Sequence, residues 1–123
     1  VAYEQNVVMV RGDTMSFGLK VEFDEGVQNL DTAFFTCKSN YDDYDVIFKK
    51  SIGDGIEIVG TDEKSVTYRI RIAPNDTEYL EPGNYYYDFQ IGVNYDVFTL
   101  RRGILKIEPN LFHAHLGLNG FDI

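Results

Sequence analysis

One cysteine, no tryptophan, three prolines and two histidines are all that this 123-residue chain holds of several residue types that often announce a function. The lone Cys37 excludes an internal disulfide, and its place in Ala33-Phe34-Phe35-Thr36-Cys37 marks it as a small packed hydrophobe. His113 and His115 fall short of the roughly three or four ligands that a zinc ion takes. With carboxylates scattered through turns, no nucleophile, base and orienting group come together in the sequence, so no catalytic residue is assigned and the chain is read as not an enzyme. Paired acids for glycoside hydrolysis stay open, because their separation is invisible at this level. Basic residues are also scarce. Eleven Lys and Arg against twenty Asp and Glu give a formal charge of −9, which repels phosphate backbones and anionic surfaces and disfavours nucleic-acid or membrane partners. No apolar run approaches a membrane span, and no basic-then-hydrophobic leader stands at the amino terminus, which opens at Val1. Cytosolic synthesis is the simplest reading.

What the chain has in quantity is alternation. Tyr85, Tyr87, Phe89, Ile91 and Val93 share one side of a period-two ladder, with Tyr86, Asp88, Gln90 and Gly92 on the other, the pattern of a central strand with one buried face. Pro82-Gly83 turns the chain just before it. Earlier, Asn6 to Arg11 reads as a strand apolar on both sides, Met15 to Phe23 as a cleanly alternating second, Thr32 to Ser39 as a third and Val46 to Lys49 as a short fourth. Gly53-Asp54-Gly55 predicts a reversal before a brief strand over Ile56 to Val59. Val66 to Ile72 then shows Arg69 and Arg71 on its open face, which calls for acids on its neighbour. Ala73 to Leu80 allows one helical turn, and Val97 to Glu108 is a last long strand whose alternation slips near Arg101-Arg102-Gly103, as at a β-bulge. Seven or eight short strands with no sustained helical period predict an all-β, antiparallel two-sheet sandwich of immunoglobulin-like form over residues 1–108, followed by a tail or linker over 109–123. Tyr85 is the candidate for the tyrosine that fixes the corner in such sandwiches, although their cysteine pair and core tryptophan are absent.

Several short motifs invite a functional reading. Arg11-Gly12-Asp13 is the tripeptide that integrins read, but a tight turn explains it without a partner. Asn40, Asp42, Asp43 and Asp45 crowd oxygen ligands together without the glycine and closing glutamate of a calcium loop, so a solvated acidic loop is preferred and no metal is assigned. Asn75-Asp76-Thr77 is a formal glycosylation acceptor that matters only on a secretory route. Contact residues are better sought among aromatic rings: Tyr41, Tyr44, Tyr86 and Tyr95 at expected exposed positions, together with Phe112 and Phe121 in an apolar tail. Tyr95 stands where a hairpin tip favours glycine or asparagine. Exposed tyrosines beside acidic loops also admit a carbohydrate-binding module, a reading weakened by the lack of tryptophan.

Arg11-Gly12-Asp13-Thr14, Leu30 to Lys38, Lys50 to Ile56, Ile72 to Thr77 and Leu80 to Asp88 form an ordered set of turns and strands. Over about residues 7 to 108 this set resembles the amino-terminal domain of tailed-phage upper baseplate proteins and related prophage tail proteins of Gram-positive bacteria. The resemblance implies a small β-sandwich without catalysis or cofactor. It further implies an attachment or assembly role in the virion tail or baseplate after synthesis in the bacterial cytoplasm, with other tail or baseplate proteins, or further copies of itself, as partners. Tyr95 departs from the glycine expected between Asn94 and Asp96, and no receptor-binding or coiled-coil part follows within this sequence.

Overall fold

Alternation of side chains is what the backbone obeys. In the computed structural model, which describes residues 3–24 and 30–111, nine strands and one helical turn follow one another. These are β1 (Tyr3–Glu4), β2 (Val7–Val10), β3 (Met15–Glu22), β4 (Leu30–Lys38), β5 (Phe48–Ile52), β6 (Gly55–Thr61), β7 (Ser65–Ile72), α1 (Pro74–Thr77), β8 (Gly83–Val93) and β9 (Asp96–Glu108). Tyr87, Phe89, Ile91 and Val93 of β8 are buried, as are Val66, Tyr68, Ile70 and Ile72 of β7, so both strands turn one face inward.

Hydrogen bonds run through one continuous path, β1-β9-β8-β4-β5-β6-β7-β3, with β2 also paired to β9. The path folds over at Gly53, and that fold makes two layers. One is β3-β7-β6; the other is β5-β4-β8-β9 with β1 and β2 added along β9. Rings from unpaired strands meet between them: Phe17 of β3 lies 5.7 Å edge-on to Phe35 of β4, and Tyr68 of β7 lies 5.4 Å edge-on to Phe89 of β8. This is an antiparallel, immunoglobulin-like sandwich, with the first strands moved across onto the last in parallel register. The central place expected for β8 holds, between β4 and β9. In such sandwiches a disulfide and a tryptophan often fill the centre. Here Phe35 stacks on Tyr87 at 5.1 Å and on Phe48 at 6.1 Å, and aromatic area takes that role. At the corner before β8, the Tyr85 hydroxyl donates to the Glu81 carbonyl at 2.6 Å, the bond expected of that tyrosine.

Four local expectations are corrected. β2 is not covered on both faces, since Val8 is 54% exposed; it lies against β9 at the margin of its sheet. The fourth strand lies later than Val46 to Lys49, over Phe48–Ile52. Gly53-Asp54-Gly55 is not a hairpin reversal: positive φ at Gly53 and Gly55 carries the chain through a full loop, so β5 and β6 pair in parallel and the chain changes layer. The slip in β9 falls between Phe89 and Gln90 on the partner strand, where Leu100 is the extra residue, rather than at Gly103. Gly103 answers a different need, because a Cβ there would overlap the Gln5 carbonyl oxygen where the chain between β1 and β2 crosses β9.

That crossing and the opposite corner are pinned by polar contacts. Gln5 N–H donates to the Arg102 carbonyl at 2.9 Å, Tyr87 donates to the Gln5 carbonyl at 2.6 Å, and Ile104 N–H donates to the Asn6 side chain at 3.0 Å. Lys50 of β5 and Asp76 of α1 form a 2.7 Å ion pair with both side chains only 12% exposed. The same carboxylate accepts the Ala73 N–H at 2.7 Å, so its charge is doubly partnered. Cys37 is fully buried. Burial, with Asp76 adding to the effect, pushes its thiol up to about 12 and keeps it protonated and inert.

Candidate interaction face

The outer surface of the β5-β4-β8-β9 layer gathers side chains that the strand registers bring into rows. Thr36 lies opposite Lys49 on one side and Asp88 on the other, and Asp88 lies opposite Arg102. The next row sets Lys38 opposite Tyr86 and Tyr86 opposite Ile104. The row below places Phe34 beside Gln90, whose amide donates to Thr99 at 3.0 Å. Tyr41, from the loop after β4, folds over this surface. Its ring lies 4.9 Å from Tyr86, its hydroxyl donates to the Gly103 carbonyl at 3.2 Å, and the Arg102 guanidinium sits over it at 4.4 Å. Lys49 lies 4.2 Å above the Phe34 ring. Lys38 ties down the acidic loop by donating to the Asp43 carbonyl at 2.7 Å.

Asp88 is half-buried at the centre of this surface. Burial raises its carboxyl above the usual range, against the opposing pull of Lys38, Arg102 and Lys49. Cations stacked on rings, a partly desolvated carboxylate and two tyrosines held by each other make a preordered surface with little side-chain entropy left to lose on contact.

Of the residues picked from the sequence, Tyr41 and Tyr86 come together here. Tyr44 is 99% exposed in the same loop. Tyr95 does not join them: it forms the β8–β9 tip, nine residues beyond Tyr86, roughly 30 Å away along an extended strand. With Asn94 at φ 52° and Tyr95 at φ 70°, both residues of that two-residue turn adopt the left-handed conformation that favours Asn-Gly. Tyr95 nonetheless leaves its ring 96% exposed. Phe112 and Phe121 lie outside the described residues, as do His113 and His115.

Other motifs resolve into structural parts. Arg11 is buried. Its guanidinium donates to Asn110 and to the Leu80 carbonyl, each at 3.1 Å, while Gly12 N–H donates to the Thr77 hydroxyl at 2.8 Å. The Arg-Gly-Asp turn is therefore a lock between three segments, with its arginine turned inward, and Thr77 of the glycosylation motif is part of that lock. Among the described residues, no group of three or more His, Cys, Asp or Glu converges as a metal site. Glu57 meets Arg69 at 2.8 Å, the acidic neighbour expected for β7, whereas Arg71 lies opposite Ser16. Asp88, Arg102, Lys38, Lys49 and Phe34 are the residues that sequence reading missed. For Asp88 and Arg102 the signal was the β8–β9 ladder, obscured by the Leu100 bulge, while Phe34, Lys38 and Lys49 join them through the β4–β5 and β4–β8 pairings.

No family model matches the chain, and no curated protein matches it. Solved structures do. Sodium-channel β subunits studied for multimeric cell-adhesive interactions align with 11% identity over 85% of this chain and 92% of that one, at a TM-score of 0.46. The extracellular domain of the sodium-channel β4 subunit, whose parallel homodimers are linked to cell-cell adhesion, aligns with 12% identity over 90% and 96%, also at 0.46. A family 123 glycoside hydrolase from Clostridium perfringens aligns with 11% identity at a TM-score of 0.51, over 87% of this chain but only 23% of the hydrolase. What the hydrolase segment shares with this chain is a fold.

Proposed function

We propose that this chain is a non-catalytic binding module that docks other proteins through the outer face of β5-β4-β8-β9. The observation that carries this reading is the Tyr41–Tyr86–Arg102 stack beside half-buried Asp88. Tyrosine and arginine dominate binding hot spots because they combine large contact area with directed polar groups. Lys38, Lys49 and Arg102 surround Asp88 on this face, with the acidic loop at its margin, so a partner would meet both signs of charge. Within that class, the resemblance over residues 7 to 108 favours an assembly role in a phage or prophage tail or baseplate, with other virion proteins or further copies of this chain as partners. The immobilised protein should retain a component of a disrupted virion-tail preparation, and Tyr86→Ala or Arg102→Ala should weaken that retention by at least about tenfold. Retention unchanged in both folded variants would remove this face from the reading. Failure to capture any tail component would remove the virion assignment.

A carbohydrate-binding alternative is favoured by one feature, a small cleft of about 50 Å³ lined by Thr36, Lys38, Tyr41, Tyr86, Tyr87 and Asp88, where rings and a carboxylate adjoin. Glycan-array binding lost in Tyr86→Ala would support it. Silence across a broad array would dismiss it.

A further inference from the structure

β7 exposes both of its arginines on the outer surface of the β3-β7-β6 layer, while Val66, Tyr68, Ile70 and Ile72 face the core. Arg69 and Arg71 stand two residues apart on one strand face, roughly 6–7 Å between Cα atoms, so their charges repel. The register gives them different neighbours. Arg69 lies between Glu57 of β6 and Gly18 of β3, and the Glu57 carboxylate meets its guanidinium at 2.8 Å. Arg71 lies opposite Ser16 of β3. On its other side β6 begins with Gly55, one residue before the Ile56–Ile70 pair, and Gly55 brings no side chain. Among the described residues Arg71 enters no ion pair. Two guanidiniums thus share one carboxylate, and one positive charge is left uncompensated.

The bareness beside Arg71 has a steric cause. Gly55 has φ 94°, and a Cβ there would overlap the Lys50 side chain, whose ammonium is tied to Asp76. No other residue fits at position 55, so β6 cannot supply Arg71 with a carboxylate as Glu57 supplies Arg69. What remains is an open cleft of about 410 Å³ whose lining includes Ser16, Gly53, Gly55, Glu57, Arg69 and Arg71.

We propose that this cleft binds a small oxyanion, a carboxylate or phosphate group, on Arg71. The guanidinium fork takes the oxygens of either group in pairs. Ser16, across the β3–β7 ladder, offers a hydroxyl donor beside it. Arg69, held by Glu57, adds positive potential and fixes the far wall of the cleft, so little reorganisation accompanies binding. The net charge of −9 turns away long polyanions. It does not govern a contact made inside the cleft, because salt screens more distant charges within about 8 Å at physiological ionic strength. The cleft lies on the opposite layer from the face assigned to partners above, so the two readings stand or fall separately.

Nuclear magnetic resonance titration of the 123-residue chain with sodium phosphate, and separately with sodium acetate, tests this, chloride being exchanged to hold ionic strength constant. The Arg71 side-chain Nε–H and the Ser16, Gly53 and Gly55 amides should shift along saturable curves with a Kd on the order of millimolar. Saturation by phosphate alone would identify a phosphate-bearing ligand, and saturation by acetate alone a carboxylate-bearing one. Arg71→Gln should weaken binding at least about tenfold. Lys106→Gln, which removes the same charge from β9 on the other layer, should leave it unchanged. The backbone spectra of both variants report directly that they are folded. Shifts that stay linear with both anions would overturn the proposal, as would equal binding by Arg71→Gln or equal weakening by Lys106→Gln.

Discussion

Replacing Tyr68 with phenylalanine should stabilise the protein. Tyr68 is completely buried, its ring meets Phe89 edge-on, and its hydroxyl has no hydrogen-bond partner. Taking an unpaired hydroxyl out of water costs about 1–3 kcal/mol. Tyr68→Phe removes that cost and keeps the ring; a gap the size of one oxygen atom takes back part of the gain through lost dispersion contacts. The net expectation is a stabilisation of about 1 kcal/mol. In a domain of this length that is a rise of roughly 3–5 °C in Tm. Calorimetry together with urea titration reads it, and the urea slope should not change, since both proteins expose the same surface on unfolding. Tyr87→Phe is the matched comparison, because its hydroxyl donates to the Gln5 carbonyl at 2.6 Å. Loss of that bond should lower stability by about 1–2 kcal/mol. If Tyr68→Phe lowers stability as much as Tyr87→Phe does, the Tyr68 hydroxyl is partnered and the reasoning fails.

Gly103→Ala should cost about 3 kcal/mol, because its Cβ meets backbone rather than a flexible side-chain end; a loss below 1 kcal/mol by urea titration would show that the Gln5 crossing yields easily. Asp88 binds its proton more tightly folded than unfolded, so its contribution favours the fold in acid and is lost as pH rises through its raised folded pKa. Asp88→Asn should therefore be at least as stable as the parent at pH 7, with the difference shrinking as pH falls into the carboxylate range. A variant less stable at pH 7 would mean that attraction to Lys38, Arg102 and Lys49 outweighs burial. Cys37, with its thiol at about 12, should resist thiol reagents at pH 8 until the chain unfolds; rapid labelling of the native protein would contradict its burial.

Strands were the legible part of this molecule because half-buried faces impose a period that a sequence cannot hide, and Tyr85 was legible because Pro82-Gly83 marks its corner. β1 was not legible, being two residues long and dependent on β9 for its pairing. Nor was the parallel β5–β6 contact, since glycines with positive φ serve a hairpin and a crossing loop equally well. The face around Asp88 shows the same limit more sharply. Counting back from the Val93–Asp96 pair at the tip places Asp88 opposite Arg101; the extra residue Leu100 moves the register by one and puts Arg102 there instead. A single inserted residue thus decides which arginine turns outward, and only the pairing reveals it. Tyr41 and Tyr86, forty-five positions apart in sequence, were each flagged for exposure, but their contact depends on how the loop after β4 folds back.

The Gly53 fold gives the domain a spine. Strand pairing binds the two layers along that side, and among the described residues no strand pairing joins them at the opposite margin, so the sandwich resembles a book whose pages are sewn at one edge. Thermal breathing will start at the loose leaves, at β3 and the first half of β9, long before the binding gives. Steady tension applied across the domain should open it there first.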